Sequence, residues 1–277
     1  MSLEVAVLAS GSSGNSIYVS GRETSILIDA GLSGKKIADN MKQVGCSPDE
    51  LKAILLTHEH RDHISGAGVM ARRYDLPIYA SQGTLRESRD KLGRLGRDQL
   101  KAKKGNWELQ ELKIETFALP HDAAEPTGYV ITSGDVMMAA ATDIGCVTAE
   151  IMNKLSGADI LVLESNHDLD LLRTGSYPPS LKKRIRSDRG HLSNIEAAGL
   201  LPELIKDQKN ERPIVILGHL SEENNRPELA YLTVKNSLNS RGWQVGEDVL
   251  LNCASREEPG ELYRLKSSPE GGISKTG

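Results

Sequence analysis

The segment Thr57-His58-Glu59-His60-Arg61-Asp62-His63 packs His58, His60, Asp62 and His63 into six residues. Imidazole and carboxylate together suit a borderline divalent cation such as Zn²⁺ or Mn²⁺. These groups cannot share one helical face, because residues i and i+2 lie roughly 200° apart at about 3.6 residues per turn. A strand end followed by a turn aims them to one side. The apolar run 53–56 immediately before them supplies such a strand.

The surrounding pattern extends this local constraint to a fold class. Short β-rich runs open the chain at 4–9, 16–20 and 25–29, separated by Gly and Ser turns. Helical periodicity then predicts helices over 32–44, 65–74 and 83–92. Strands are predicted at 54–57, 77–80, 113–119, 128–132 and 136–142. The alternation resumes with a helix over 147–155, a strand over 159–164, a long polar and helical stretch, a strand over 213–218, a helix over 227–240 and a strand over 247–251. No Pro-rich or low-complexity linker interrupts 1–266, so one domain with two β-rich halves and outer helices is expected. The small, polar residues 267–277 are expected to form a disordered tail.

Composition narrows the function classes. The net charge of −4 makes no global case for nucleic-acid binding, so any such case must rest on local patches. Cys46, Cys146 and Cys253 are odd in number and form no CxxC pair, which argues against a disulfide framework or a thiolate zinc site. They suit a reducing cytoplasm. No stretch has the length of a membrane span, and the N-terminus lacks a basic segment before a long apolar one. A soluble cytoplasmic protein is expected.

Further polar residues sit just past apolar strands: His121 after 113–119, Asp143 after 136–142, and His219 after 213–218. The order HxHxDH, then His, Asp and His, resembles the metallo-β-lactamase superfamily. That resemblance implies a four-layer αββα sandwich without a β-CASP insertion, with two divalent metal ions at the edge where the sheets meet. It assigns His58, His60 and His121 to one ion, Asp62, His63 and His219 to the other, and Asp143 to both. Asp29, ending Ile26-Leu27-Ile28-Asp29, matches the superfamily's first motif and is expected to orient ligand histidines by hydrogen bonds. Thr57 and Gly66 are expected to serve the local turn. The zincin pattern HExxH fails because Asp62 stands where its second His belongs. Flavodiiron proteins place a carboxylate where His60 stands.

Two-metal sites activate water near neutral pH, which points to hydrolysis without a Ser or Cys nucleophile. That chemistry leaves β-lactams, thioesters, lactones and phosphodiesters open. Two further histidines, His167 in ESNHD and His191 in GHLSN, lie around a basic run of Arg173, Lys182, Lys183, Arg184, Arg186 and Arg189. Beside a metal site this run reads as a phosphate track, extended by Arg94, Arg97, Lys101, Lys103 and Lys104. Ser193-x-x-Glu196 is a capping box, so His191 precedes a helix whose free N–H groups are expected to receive an anion.

Together, SGSSGNS at 10–16, THEHRDH, ESNHD, GHLSN and HLSEENN at 219–225 resemble the YycJ (WalJ) group of bacterial metallo-hydrolases. The resemblance implies 5′ to 3′ exonuclease action on double-stranded DNA. On this reading Asp62 and His191 are catalytic, and His191, Asn194 and Asn15 bind substrate. His167 is expected to be structural or to support ligands. The competing classes are a small-molecule hydrolase, either a cyclic phosphodiesterase or a glyoxalase II-like thioesterase, and a metal-binding regulatory protein.

Overall fold

A computed structural model describes residues 2–206 and 212–266. The expected tail at 267–277 lies outside the described residues. The first half contributes β1 (Ser2–Ala9), β2 (Ser16–Ser20), β3 (Ser25–Ile28), α1 (Gly34–Gln43), β4 (Leu51–Leu55), α2 (Arg61–Ile64), α3 (Ala67–Tyr74), β5 (Ile78–Ala80), α4 (Gln82–Leu92) and β6 (Leu100–Ala102). There follow β7 (Asn106–Leu109), β8 (Leu112–Ala118), β9 (Thr127–Ser133), β10 (Val136–Ala141), α5 (Ala149–Leu155), β11 (Ile160–Glu164), α6 (Leu169–Thr174) and α7 (Pro179–Ile185). The chain continues with α8 (Asn194–Ile205), β12 (Ile214–Gly218), α9 (Pro227–Ser240), β13 (Leu250–Cys253) and β14 (Tyr263–Lys266).

The strands form two mixed seven-stranded sheets, in the orders β14-β1-β2-β3-β4-β5-β6 and β13-β12-β11-β10-β9-β8-β7. Strand periodicity explains their layering, because successive side chains point to opposite faces. In β1, Val5 and Val7 join the core between the sheets, while Ala6 and Leu8 face the core beneath α1, α3 and α4. In β11, Ile160 and Val162 face the partner sheet, whereas Leu161 and Leu163 face α5, α8 and α9. Strands buried on both faces read as unbroken apolar runs. Three cores between four layers give the αββα sandwich.

Three strands departed from expectation. β6, β7 and β14 are short, carry Lys101, Glu108 and Arg264, and lie at sheet edges. Their apolar signal is weak because only one side of each is paired. The strand expected at 247–251 begins instead at Leu250, where it pairs with Ile214.

Strand direction sets the site. β3 and β4 are parallel, as are β10, β11 and β12. β8 shares the direction of β10, since both are antiparallel to β9. Their carboxyl ends therefore deliver Asp29, Thr57-His58, His121, Asp143, Glu164 and His219 to one rim, the usual place for a ligand site in open α/β sheets.

Candidate metal centre

All six of these strand exits deliver polar side chains, and three of the residues adopt left-handed backbone: Asp29 (φ 60°), Asp143 (φ 62°) and His219 (φ 54°). For a non-glycine residue this conformation costs about 1–3 kcal/mol and persists where surrounding structure imposes it. The loops are also pressed together. A Cβ on Gly31 would meet the Asp62 carbonyl oxygen at 1.6 Å, so only glycine permits this approach. Gly66 does comparable work, since a Cβ there would meet the Leu32 carbonyl oxygen at 2.1 Å.

The hydrogen bonds fix the imidazole tautomers. A carboxylate or carbonyl only accepts, so the ring nitrogen facing it must carry the proton. His63 Nδ1 donates to Asp29 Oδ2 at 2.7 Å, and His219 Nδ1 donates to Glu164 Oε1 at 2.8 Å. His121 Nδ1 donates to the Gly190 carbonyl at 3.2 Å. Thr57 Oγ donates to Asp29 Oδ2 at 2.8 Å, so it accepts from His58 Nδ1 at 3.0 Å. In their neutral form all four histidines would therefore present Nε2 as the lone-pair donor, the state a metal ligand requires. Thr57 was expected to serve a turn; the structure makes it a relay between Asp29 and His58.

Among the described residues, ligand atoms within 4.8 Å of one another form the groups His58–His60–His121, Asp62–His63–His219, His58–His63–Asp143 and Asp143–Glu164–His191–His219. Asp143 reaches across them, with Oδ2 3.3 Å from His63 Nε2 and Oδ1 3.7 Å from His121 Nε2. His58 Nε2, His219 Nε2 and Asp143 Oδ2 are buried with no hydrogen-bond partner. Buried groups left without partners cost about 1–3 kcal/mol each. Their convergence fits a divalent cation, to which all three would turn.

Electrostatics divides the cluster. Burial lowers the pKa of His58 and of His121, leaving neutral imidazoles. At His219 burial acts the same way, but the Asp143, Asp62 and Glu164 carboxylates overcome it and raise the pKa to about 10. Burial would raise Glu164, yet His191 and His219 hold it at about 2. Burial also lowers His191, and its contact with Glu164 more than reverses this.

Glu164 escaped the sequence reading. It ends the run Ile160-Leu161-Val162-Leu163-Glu164 just as Asp29 ends Ile26-Leu27-Ile28-Asp29, and that shared grammar could have found it. Its Oε1 accepts from both His191 Nδ1 and His219 Nδ1 at 2.8 Å, and its Oε2 accepts from the Ile144 amide at 2.7 Å.

The remaining expected residues are distributed differently. His191 lines the central cavity with His60, Asp62, His121, Asp143 and His219. Asn15 is buried, accepting from the Gly11 amide at 2.9 Å and lying 3.1 Å from His63 Nε2, so it ties the SGSSGNS loop to the ligand loop. The Asn194 side chain accepts from Ser165 Oγ at 2.7 Å and pairs with Asn225 at 2.9 Å, which leaves it buried away from the cavity. The anion expected at the start of α8 would meet amides that already have partners: Ser193 N–H donates to Glu196 at 2.7 Å, Glu196 N–H to Ser193 Oγ at 3.3 Å and Asn194 N–H to the His167 carbonyl at 2.9 Å. His167 is buried behind the site, with its pKa lowered by burial and its carbonyl accepting from Asn194.

The basic track is also narrower than expected. Arg184 Nε contacts Asp122 at 2.5 Å, and Arg189 donates to the His121 carbonyl at 2.9 Å, so both reach the rim. Arg173 instead pairs with Asp170, and Lys182 binds the carbonyls of Arg173 and Gly175. In the second patch Lys104 pairs with Glu125, while Lys101 and Lys103 lie over Tyr79 and Trp107. Arg94 lines a separate groove with Arg86 and Arg89, and the Arg97 side chain is outside the described set.

The profile of the beta-lactamase superfamily domain matches residues 24–216. The chain belongs to the metallo-β-lactamase superfamily. Within the superfamily it is 41% identical over 249 residues to exodeoxyribonuclease YycJ of Bacillus anthracis, covering 89% of this chain and 93% of that protein. It is likewise 41% identical over 251 residues to exodeoxyribonuclease WalJ of Streptococcus pneumoniae, covering 88% and 91%. Among solved superfamily structures, YhfI from Bacillus subtilis aligns with a TM-score of 0.68 at 17% identity, over 94% of this chain and 99% of that one. Zn²⁺-bound PqqB from Methylobacterium extorquens gives 0.66 at 18%, over 93% and 99%. Both likenesses bear on the fold. No helix among the described residues is long and apolar enough to cross a membrane.

Proposed function

We propose that this chain is a binuclear metal-dependent phosphodiesterase acting as a 5′ to 3′ exonuclease on double-stranded DNA. The observation that carries the reading is the similarity, over nearly nine-tenths of the chain, to two exodeoxyribonucleases, joined to a His/Asp cluster in which the Nε2 atoms of His58 and His219 and the Asp143 carboxylate are buried without partners. His58, His60 and His121 would hold one ion, Asp62, His63 and His219 the other, and Asp143 both. When bound, Zn²⁺ or Mn²⁺ ions would supply Lewis acidity and an acidified water.

The protein's own groups do the rest. Arg189, which donates to the neutral His121 carbonyl, carries charge suited to a backbone phosphate, and Arg184 would have to exchange Asp122 for one. His191 gives Nδ1 to Glu164, which leaves Nε2 as the atom to donate a proton to the departing oxygen. Asp62 lines the cavity and is a quarter exposed, so its carboxylate is placed to take a proton from attacking water.

The test offers purified protein, with Mn²⁺ or Zn²⁺, 5′-labelled duplex DNA, bis(p-nitrophenyl) phosphate and a thioester. Release of nucleotides from the DNA is expected. Hydrolysis of the thioester alone would replace this reading with a small-molecule hydrolase, and hydrolysis of nothing would favour a metal-binding regulator.

A further inference from the structure

The cavity over the ligand cluster has two unlike walls. One is polar, built from the histidines and carboxylates of the candidate metal centre. The same cavity is also lined by Tyr177, Leu181 and Ile185, Leu181 and Ile185 four residues apart on α7 and Tyr177 in the bend before it. Leu181 and Ile185 thus share one side of α7, and Tyr177 reaches the same cavity from outside the helix, before its Pro178 cap. Arg184, on the same helix, adds a cation at the rim. Tyr177 is half-buried, and among the described residues it is the only Phe, Trp or Tyr in the cavity wall. The chain is poor in such residues, with one Phe, two Trp and seven Tyr.

An apolar, aromatic wall cannot hold a phosphate. It suits the flat face of a nucleobase, and base–aromatic stacking tolerates every base because each has a π-face. The cavity measures ≈220 Å³, below the roughly 300–1,000 Å³ of ordinary small-molecule sites. A base pair is about twice the size of a single base, so a cavity this small favours one base alone.

Resting on the nuclease reading above, we infer that this cavity takes one unpaired terminal nucleotide, with its phosphate on the ligand side and its base stacked on Tyr177. The terminal pair must therefore open before cleavage. An end that is already mismatched avoids the cost of opening. Tyr177 would be a positioning residue for the base, selecting for unpaired ends without selecting sequence.

The experiment is a cycle between the residue and the base. Wild-type protein, Tyr177→Ala and Tyr177→Phe are loaded with Mn²⁺ and offered DNA ends carrying a normal, a mismatched or an abasic terminal nucleotide. For the wild type, loss of the base should lower kcat/KM about tenfold, and a terminal mismatch should raise it. Tyr177→Ala should fall about tenfold on normal ends and become nearly indifferent to the missing base, while Tyr177→Phe keeps the wild-type pattern. A merely structural role for Tyr177 would slow all ends equally. Wild-type protein that ignores the missing base, or Tyr177→Ala that still senses it, overturns this inference alone. Wild-type protein that leaves every DNA intact overturns the nuclease reading together with it.

Discussion

Asp29 and Glu164 stand at matching points of the two sheets, each a buried carboxylate at the end of an apolar parallel strand. Each accepts from the Nδ1 of one ligand imidazole, His63 at 2.7 Å and His219 at 2.8 Å. They differ in what else they hold. Asp29 also accepts from Thr57, through its amide and its hydroxyl, so its influence stays within one ligand loop. Glu164 also takes His191 and the amides of Ile144 and Leu192, joining three loops. A support confined to one ligand should govern metal retention. A support shared with a residue facing the cavity should govern both retention and turnover.

The largest effect is therefore expected from Glu164→Gln. The amide keeps one acceptor oxygen and puts an NH₂ either against the Ile144 and Leu192 amides or against the two imidazoles. We expect metal affinity and kcat each to drop, by on the order of 100-fold, read from metal titration and from hydrolysis at saturating metal. Full turnover once metal is restored would reduce Glu164 to the same role as Asp29. Asp29→Asn is expected to weaken metal binding about 10-fold and to regain near-normal kcat when metal is in excess. A kcat deficit that excess metal fails to repair would erase the distinction.

The comparison also explains what could be read from sequence. The histidines and aspartates that the structure gathers into one cluster were legible because metal chemistry demands particular side chains, and most of them lie just past strands buried on both faces. Asp29 was legible through its motif. Glu164 obeys the same pattern yet was passed over, because a Glu closing an apolar run has no fixed spacing to the histidines it serves. Asn194 and the start of α8 misled for the opposite reason: the sequence does not show where the amides of a helix start go, and here those of Ser193, Asn194 and Glu196 are taken by the Glu196 carboxylate, the His167 carbonyl and Ser193 Oγ. β14 was illegible because its register with β1, Glu4 opposite Arg264, depends on a partner at the far end of the chain.

A smaller effect should appear in the stability of chelator-treated protein. His219 is raised from 6.5 to about 10, so its pairing contributes fully below pH 6.5 and fades as pH climbs towards 10. Glu164 is depressed from 4.5 to about 2, so its contribution is full above pH 4.5 and fades as pH falls towards 2. The Tm difference between wild type and Glu164→Gln should therefore be widest between pH 4.5 and 6.5 and narrow on both sides. A difference constant from pH 3 to 10 would mean that this buried pair is not ionised in the metal-free protein.

Thr57→Val should have the smallest effect and test the comparison at its finest grain. Valine keeps the shape and leaves the Thr57 amide bonded to Asp29, but removes the oxygen that sets the His58 tautomer. Asp29 retains His63, so on the proposed ligand set only the ion assigned to His58 should feel the change. One neutral hydrogen bond contributes about 1 kcal/mol, which corresponds to about a fivefold loss of affinity at one of two sites in a metal titration. Loss at both sites would show that Asp29 reaches across the cluster through Thr57, as Glu164 does through His191.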